Sequence, residues 1–524
     1  MHNFFSWADA QPDRVVLTQA DSGKCHTAGD IARGARRLAQ WFAAQGLQAQ
    51  DTVAVLLENR REIVELVLAA REAGLYAAVI STHLTPAEVA YIIQDSGAQM
   101  LLVSGKTWPN AQQAVQALGV AAYSVDEDTP GVAALASAVE AANAAPVDLS
   151  DRPLGRDLLY SSGTTGKPKG IKKPLLGAQY RTQADPEVAA WMRNMRFDSS
   201  AVYLSPAPLY HAAPLRYSLR TLDVGGAAVI MGRFDPQEAL ALIERYQVTH
   251  SQWVPTMLSR MLKLPDAVKT RYRLDSHRVA IHAAAPCPVP VKQAILDWWG
   301  DILLEYYAGS EGCGTTLITS EEWRARPGSV GRAITGQLHI VGDDGQELGT
   351  GEVGRVYFSG GSPFQYLNDE AKTREAINER GWATYGDIGY VDAEGFLFLS
   401  DRRADLILSG GVNIYPQEIE TALARHDAVD EVAVVGVPHE DFGEQPMAVV
   451  VLKPGFEASA ATAGAIVAQA AGQLSKVKWP QRLVFEASLP RLETGKLLRR
   501  VLKERFRQTP DAGHDVRSAM AQKA

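Results

Sequence analysis

Cysteine is scarce. Cys25, Cys287 and Cys313 are the only three in 524 residues, far apart and without C-x-x-C spacing, which excludes a disulfide framework and a cysteine-based zinc site. No apolar run approaches the roughly 18 to 20 residues of a membrane span, and residues 1–14 lack the basic start and apolar stretch of a secretory signal. The expectation is a soluble, unprocessed chain in a reducing cytoplasm. An excess of positive charge is absent too: Lys and Arg total 52 against 60 Asp and Glu, a net charge of −8, so nucleic-acid phosphates meet no overall attraction. There is no internal repeat. What is present is ordinary globular material, 46% hydrophobic and 21% charged, with enough length for two to four packed cores.

From residue 15 onward short β-branched runs alternate with helix-period segments, the pattern of parallel strands joined by crossover helices. Strands are predicted over 15–17, 52–57, 76–80 and 100–103, with helices over 27–45, stopped by Gly46, and 62–72, closed by Gly74. Thr85-Pro86-Ala87-Glu88 forms a capping box with proline at the first helical position, so a helix should run from there to Gly97. The fold class is α/β, doubly wound. Residues 111–146 are rich in alanine and short of long apolar side chains, which predicts surface helix and loop rather than core. After Asp401 a compact pattern takes over: strand 406–408, helix 416–424, strands 431–437 and 449–452, helix 465–474. A boundary near residue 400 follows.

The chemistry gathers first in Tyr160-Ser161-Ser162-Gly163-Thr164-Thr165-Gly166-Lys167-Pro168-Lys169-Gly170. Hydroxyls, glycines and lysines packed into one loop after a strand-like 158–160 offer many donors to a polyphosphate. It is not a Walker A loop, because Gly163 and Gly166 are only three apart and Pro168 follows Lys167. Five further stretches follow in order. They are Tyr307-Ala308-Gly309-Ser310-Glu311, Tyr385-Gly386-Asp387, Asp401-Arg402-Arg403-Ala404-Asp405, Gly410-Gly411-Val412-Asn413-Ile414 with Pro416-Gln417-Glu418-Ile419-Glu420, and Pro490-Arg491-Leu492-Glu493-Thr494-Gly495-Lys496. Together these stretches resemble the signatures of the adenylate-forming superfamily, which includes acyl-CoA synthetases, luciferases and adenylation domains of peptide synthetases.

The resemblance implies a large multi-subdomain ATP- and acyl-binding domain over 1–400 and a small mobile α+β domain over 401–524. It implies that Ser161, Ser162, Gly163, Thr164, Thr165, Gly166 and Lys169 surround the nucleotide phosphates. Tyr307 would stack on adenine, Ser310 would touch phosphate, and Asp387 and Arg402 would meet the ribose. A carboxylate accepts from both ribose hydroxyls, which suits an acid at 387. Glu311 would help hold Mg²⁺, as a hard cation prefers carboxylate oxygen. His282-Ala283-Ala284-Ala285-Pro286 resembles a small-residue turn against adenine, with Ala285 as its contact. By the same resemblance His211, in Tyr210-His211-Ala212-Ala213-Pro214, and Gly309 belong to the acyl pocket. Trp253, in an apolar segment, reads equally as tunnel wall or as core. Gly410 and Gly411 would lie at the coenzyme A channel, where absent side chains allow close approach. Lys496 would be the catalytic lysine.

The implied activity is a two-step ligation: ATP and a carboxylic acid give an acyl-adenylate, and coenzyme A takes the acyl group. The apolar tunnel segment favours a medium, long or bulky hydrophobic acid, as in fatty acid metabolism, with aryl and steroid side-chain acids open. A free-standing ligase that delivers to a separate carrier protein is the alternative. A carrier domain in cis is not expected, since 28 residues follow Lys496. The last basic segment places Leu498, Val501, Leu502 and Phe506 on one helix face. This suits peripheral contact with an anionic membrane or, better, docking on its own domain. Oligomeric state is not readable.

Overall fold

The computed structural model describes residues 3–142, 145–161, 168–402, 405–409, 412–439, 442–471, 473–474, 476–491 and 497–516. Its fold is α/β with a large N-terminal part and a small C-terminal part. The first sheet is wholly parallel, in the order Ala133–Ala134, Ala121–Ser124, Ala98–Val103, Thr52–Leu56, Tyr76–Val79, Arg156–Asp157. Parallel neighbours require crossover connections, and the helices between these strands supply them. The helix Pro86–Asp95 starts at the predicted box: Thr85 N–H donates to Glu88 Oε2 (2.9 Å) and Glu88 N–H to Thr85 Oγ1 (3.4 Å).

A second, 13-stranded sheet has a parallel centre of Val15–Gln19, Ala227–Ile230, Val202–Ser205, His250–Trp253, Val279–His282 and Leu303–Tyr307. Beyond Leu303–Tyr307 it becomes antiparallel and ends in a hairpin-rich lobe that includes Asp387–Val391 and Leu397–Arg402. The helices Ala28–Ala44, Arg61–Ala73 and Ala212–Asp223 lie between the two sheets. One continuous apolar cluster joins Val53 and Val55 of the first sheet, Ile31, Val64 and Leu215 of these helices, and Tyr203 and Ile230 of the second sheet.

The alanine-rich stretch is largely surface helix and loop, as its composition predicts. It also supplies the end of the helix Trp108–Leu118 and the strand Ala121–Ser124, next to the edge strand of the first sheet, with Ala111, Ala114 and Leu135 buried. A separate six-stranded sheet is built from residues 407–515, around the long hairpin Val429–His439 and Gly443–Leu452. The basic helix Arg499–Arg507 buries Leu502 and Phe506 against Val435 and Val449 of this sheet, so its apolar face is covered by its own domain. No helix of the described residues is long and apolar enough to cross a membrane. Among the described residues one ion pair links the small sheet to the large part, Lys263 Nζ to Asp430 Oδ1 at 2.7 Å, with the lysine well exposed.

The two parallel sheets are tied at the ends of their strands by Asn59, which is 8% exposed. Its amide donates to the carbonyls of Ala207 (3.1 Å) and Met231 (2.9 Å), and its Oδ1 accepts from Leu209 N–H (2.7 Å). Asn59→Ala leaves these groups without partners, at about 1 to 3 kcal/mol for each left buried and dry. The expected outcome is a loss of about 2 to 4 kcal/mol in urea unfolding, and an unchanged midpoint would show that the amide is not a structural tie.

Burial also holds His250 neutral, its pKa down to about 4, and His277, down to about 3. Both are almost wholly enclosed in the second sheet. The unfolded chain binds protons from about pH 6.5 downward while the folded chain does not, so stability is fully present above that value. It should fall steadily from about pH 6.5 toward 4, on the order of 3 kcal/mol per histidine once both are protonated. Denaturant midpoints measured across that range test this, and a flat profile would contradict it.

Candidate active site

Ligands of open α/β sheets bind outside the carboxyl ends of the strands, and a cleft of about 3720 Å³ lies there, bounded also by the small domain. A three-stranded antiparallel sheet stands at its side, made of Leu159–Ser161, Lys169–Lys172 and Gln365–Tyr366. Ser161 and Lys169 face each other in register and so close the base of the glycine-rich loop. Ser162, Gly163, Thr164, Thr165 and Gly166 lie outside the described residues. Lys169 lines the cleft and pairs with Asp369 at 3.2 Å.

The strand Leu303–Tyr307 delivers the next group. Tyr307 O–H donates to Asp387 Oδ2 at 2.6 Å, so two residues eighty positions apart meet at the cleft wall. Asp387 begins its strand opposite Arg402 in antiparallel register. Beyond Tyr307, Ser310 and Glu311 both line the cleft, and Glu311 accepts from Tyr366 O–H at 2.9 Å. Gly309 is demanded by its surroundings: a Cβ there would lie 2.4 Å from the Tyr385 ring and 2.6 Å from Glu311 Oε2. Across the cleft, Ala285 follows the strand Val279–His282 in a turn where Ala284 takes a left-handed conformation, φ 77°. Such a backbone in a residue with a Cβ costs roughly 1 kcal/mol or more, and here it presents only methyl groups to the site.

His211 occupies the N-cap position of Ala212–Asp223 and lines the cleft beside Tyr210. Burial, with His83 nearby, lowers its pKa to about 4, so the imidazole is neutral near pH 7. Its Nε2 is buried and has no hydrogen-bond partner among the described residues. Trp253 is not brought to the site. It is 1% exposed, donates to Ser251 Oγ at 2.6 Å and packs against Trp299 and Phe234. Its neighbours Gln252 and Val254 line the cleft instead, because successive side chains of a strand point to opposite faces. Gly410, Gly411 and Lys496 fall outside the described residues.

Sequence reasoning passed over the end of the cleft beyond His211. Trp191, Tyr217 and Tyr306 form an aromatic wall, with Trp191 and Tyr306 edge to face at 5.1 Å. Beside them lie Asp157, Lys173, Arg216 and Arg220. The available signal was the i, i+4 arginine pair just after His211, on the face of a helix that continues the histidine motif.

This architecture has close counterparts. Residues 4–366 match the AMP-binding enzyme family and residues 418–496 its AMP-binding enzyme C-terminal domain. The chain is 30% identical over 499 residues to 2-succinylbenzoate–CoA ligase of Bacillus subtilis, covering 95% of this chain and 96% of that one. It is 31% identical over 492 residues to the long-chain-fatty-acid–CoA ligase FadD13 of Mycobacterium tuberculosis, covering 91% and 92%. Among solved structures it resembles o-succinylbenzoate CoA synthetase from Bacillus subtilis in complex with its acyl-adenylate intermediate. That match has a TM-score of 0.81 and 29% identity, and covers 96% of this chain and 98% of that chain. The chain belongs to the AMP-binding enzyme family, in the acyl-CoA synthetase branch of the adenylate-forming superfamily.

If Asp387 holds the nucleotide, Asp387→Ala should weaken ATP use by about 1.5 to 3 kcal/mol, the loss of a charged acceptor. That corresponds to a rise of roughly ten- to a hundredfold in the KM for ATP. An unchanged KM in the folded variant would remove Asp387 from the nucleotide site.

Proposed function

We propose that this chain is an AMP-forming acid–CoA ligase acting on a carboxylic acid with a hydrophobic, chain-like or bulky body. The carboxylate attacks the α-phosphorus of ATP in line, pyrophosphate leaves, and the thiolate of coenzyme A then displaces AMP. The observation that carries the reading is the convergence of Tyr307, Asp387 and Glu311 on one cleft, in a chain matched by the family in both its large and its small part. Two relatives named for CoA ligation of quite different acids support the reaction type. The aromatic wall of Trp191, Tyr217 and Tyr306 supports an apolar body for the acid. The three free thiols accord with a cytoplasmic location.

In this reading Tyr307 and the small-residue turn at Ala285 clasp the adenine. Asp387 takes the ribose hydroxyls, oriented by its bond from Tyr307 and joined by Arg402. The loop residues Ser161 to Gly166, with Lys169 and Ser310, donate to the phosphates. His211, held neutral, borders the acyl group and positions it without acting as a base. Glu311 is a hard-oxygen donor, and the described residues form no cage of three metal-binding side chains. That fits Mg²⁺, which is commonly held by one or two carboxylates plus substrate phosphates; bound there, it would offset charge on the phosphate oxygens. Lys496, on the small domain 401–524, brings a point charge to the reacting carboxylate and α-phosphate, and rotation of that domain against 1–400 turns the Gly410-Gly411 stretch toward coenzyme A.

Acid-dependent ATP–pyrophosphate exchange and CoA-dependent AMP release, run with acetate, octanoate, palmitate, benzoate, a cinnamate and a bile acid, test the reading. No exchange with any acid would overturn it. Lys496→Ala should lower the exchange by about 10²- to 10³-fold while CoA thioester formation from supplied acyl-adenylate persists. Equal loss of both activities would remove the lysine from the first half-reaction.

A further inference from the structure

The helix Ala212–Asp223 lies with one face along the cleft, and the residues on that face run Ala213, Arg216, Arg220. Spacings of three and four keep them on one stripe, so a substrate extending away from His211 travels past both arginines. Arg216 is satisfied: its Nη2 and Nε donate to Asp157 Oδ2 at 2.7 and 3.1 Å. Arg220 is not. Its guanidinium lies over the Trp191 ring, 5.4 Å from the centroid, and no carboxylate of the described residues comes within 4 Å of it. Lys173, just past the end of Lys169–Lys172, lines the same cleft next to Arg216 and Asp157. Its Nζ sits so close to Gly312 that a Cβ there would be 2.3 Å away, and it too has no carboxylate within 4 Å among the described residues.

The charge balance is therefore uneven. Of the carboxylates near Lys173, Arg216 and Arg220, only Asp157 is ion-paired, to Arg216, while Glu187 and Glu311 act on Lys173 and Arg216 through space. Burial and the neighbouring cations Arg216 and Arg156 depress Lys173 to about 8, and burial with Arg216 holds Arg220 below its usual range. In both, burial and like charge outweigh the carboxylates nearby. Filling this part of the cleft with hydrocarbon would strip the remaining water from two charges and return nothing, which costs several kcal/mol per ion. An anion at that place removes the penalty and gains charge-assisted hydrogen bonds, bidentate where it meets the planar guanidinium.

We propose that the acid carries a second anionic group, a carboxylate or sulfonate remote from the one that is activated, and that Arg220, assisted by Lys173, is the residue that selects it. This deepens the acid–CoA ligase reading and rests on it. Arg220 is nine residues along the helix from His211, about 13 Å at 1.5 Å per residue, which calls for a spacer of several carbons lying against Trp191 and Tyr306. The substrate class is thus a diacid, or a sulfonated acid, with an apolar middle.

The test uses acyl-sulfamoyl adenosine analogues of the adenylate with six-, eight- and ten-carbon chains, ending in methyl, hydroxyl or carboxylate, and binding to the full chain measured by calorimetry. The carboxylate-ended analogue of the best length should bind at least tenfold tighter than its methyl partner. Arg220→Met should bring that ratio close to one, and Arg220→Lys should restore part of it. Equal binding of methyl and carboxylate ends at every length, or a ratio that survives Arg220→Met, overturns the proposal while leaving the ligase reading standing. Equal binding of hydroxyl and carboxylate ends overturns the anionic requirement. A loss of ATP affinity in Arg220→Met as large as the loss for the carboxylated analogue assigns the cation to the nucleotide and overturns it as well. Binding of none of the analogues removes the adenylate site itself, and the proposal with it.

Discussion

One side-chain amide holds two sheets in register. Asn59 leaves the end of a first-sheet strand and bonds to three backbone groups that follow two strands of the second sheet. The layers between them are apolar helices, and apolar packing is non-directional, so on its own it would allow the sheets to slide. Three directed bonds at one buried point do not. Because Leu209 is one of the bonded residues, the same amide fixes the start of the segment Tyr210-His211 and hence the direction in which Ala212–Asp223 crosses the cleft. The ends of the cleft proposed here for nucleotide and acid, called below the nucleotide end and the acyl end, keep their spacing because of it.

The two ends of the cleft are built by different means. At the nucleotide end the side chains emerge from strand termini and bond to one another, Tyr307 to Asp387 and Tyr366 to Glu311, around a glycine that admits no substituent. Such a site tolerates little change. At the acyl end the wall is the face of a helix, where any residue of helical propensity can be exchanged at positions 213, 216 or 220 without disturbing a backbone bond. One chemistry with many acids is the natural product of this division, and the relatives named for 2-succinylbenzoate and for long-chain fatty acids are an instance.

Much of this was legible in the order of residues. Capping boxes, closing glycines and β-branched runs mark the parallel strands because those signals are local, and the boxes at Tyr307, Glu311 and Asp387 carry a resemblance dense enough to identify the superfamily. Other features depend on packing, which no local pattern reports. Alanine at 111 and 114 proved buried within a stretch that is otherwise largely surface. Trp253 turned inward because its strand parity, and not its hydrophobicity, decides which face it joins. Asp157, Lys173 and Arg220 come from three separate segments, and only the folded chain shows that Arg216 has a carboxylate partner and that Arg220 has none among the described residues.

The contact between the small sheet and the large part has a bearing on energetics. Among the described residues the one ion pair across it, Lys263 to Asp430 with an exposed lysine, contributes about 0 to 1 kcal/mol and is screened by salt. Exchanging that pair for water is therefore nearly free, and it adds little to the preference for this orientation of the small domain. A ligand shifts such an equilibrium only through its difference in affinity for the two states, and a small gap needs only a small difference. For the proposed rotation this means that a modest difference between triphosphate and acyl-adenylate in how they meet the small domain is enough to set which way it faces.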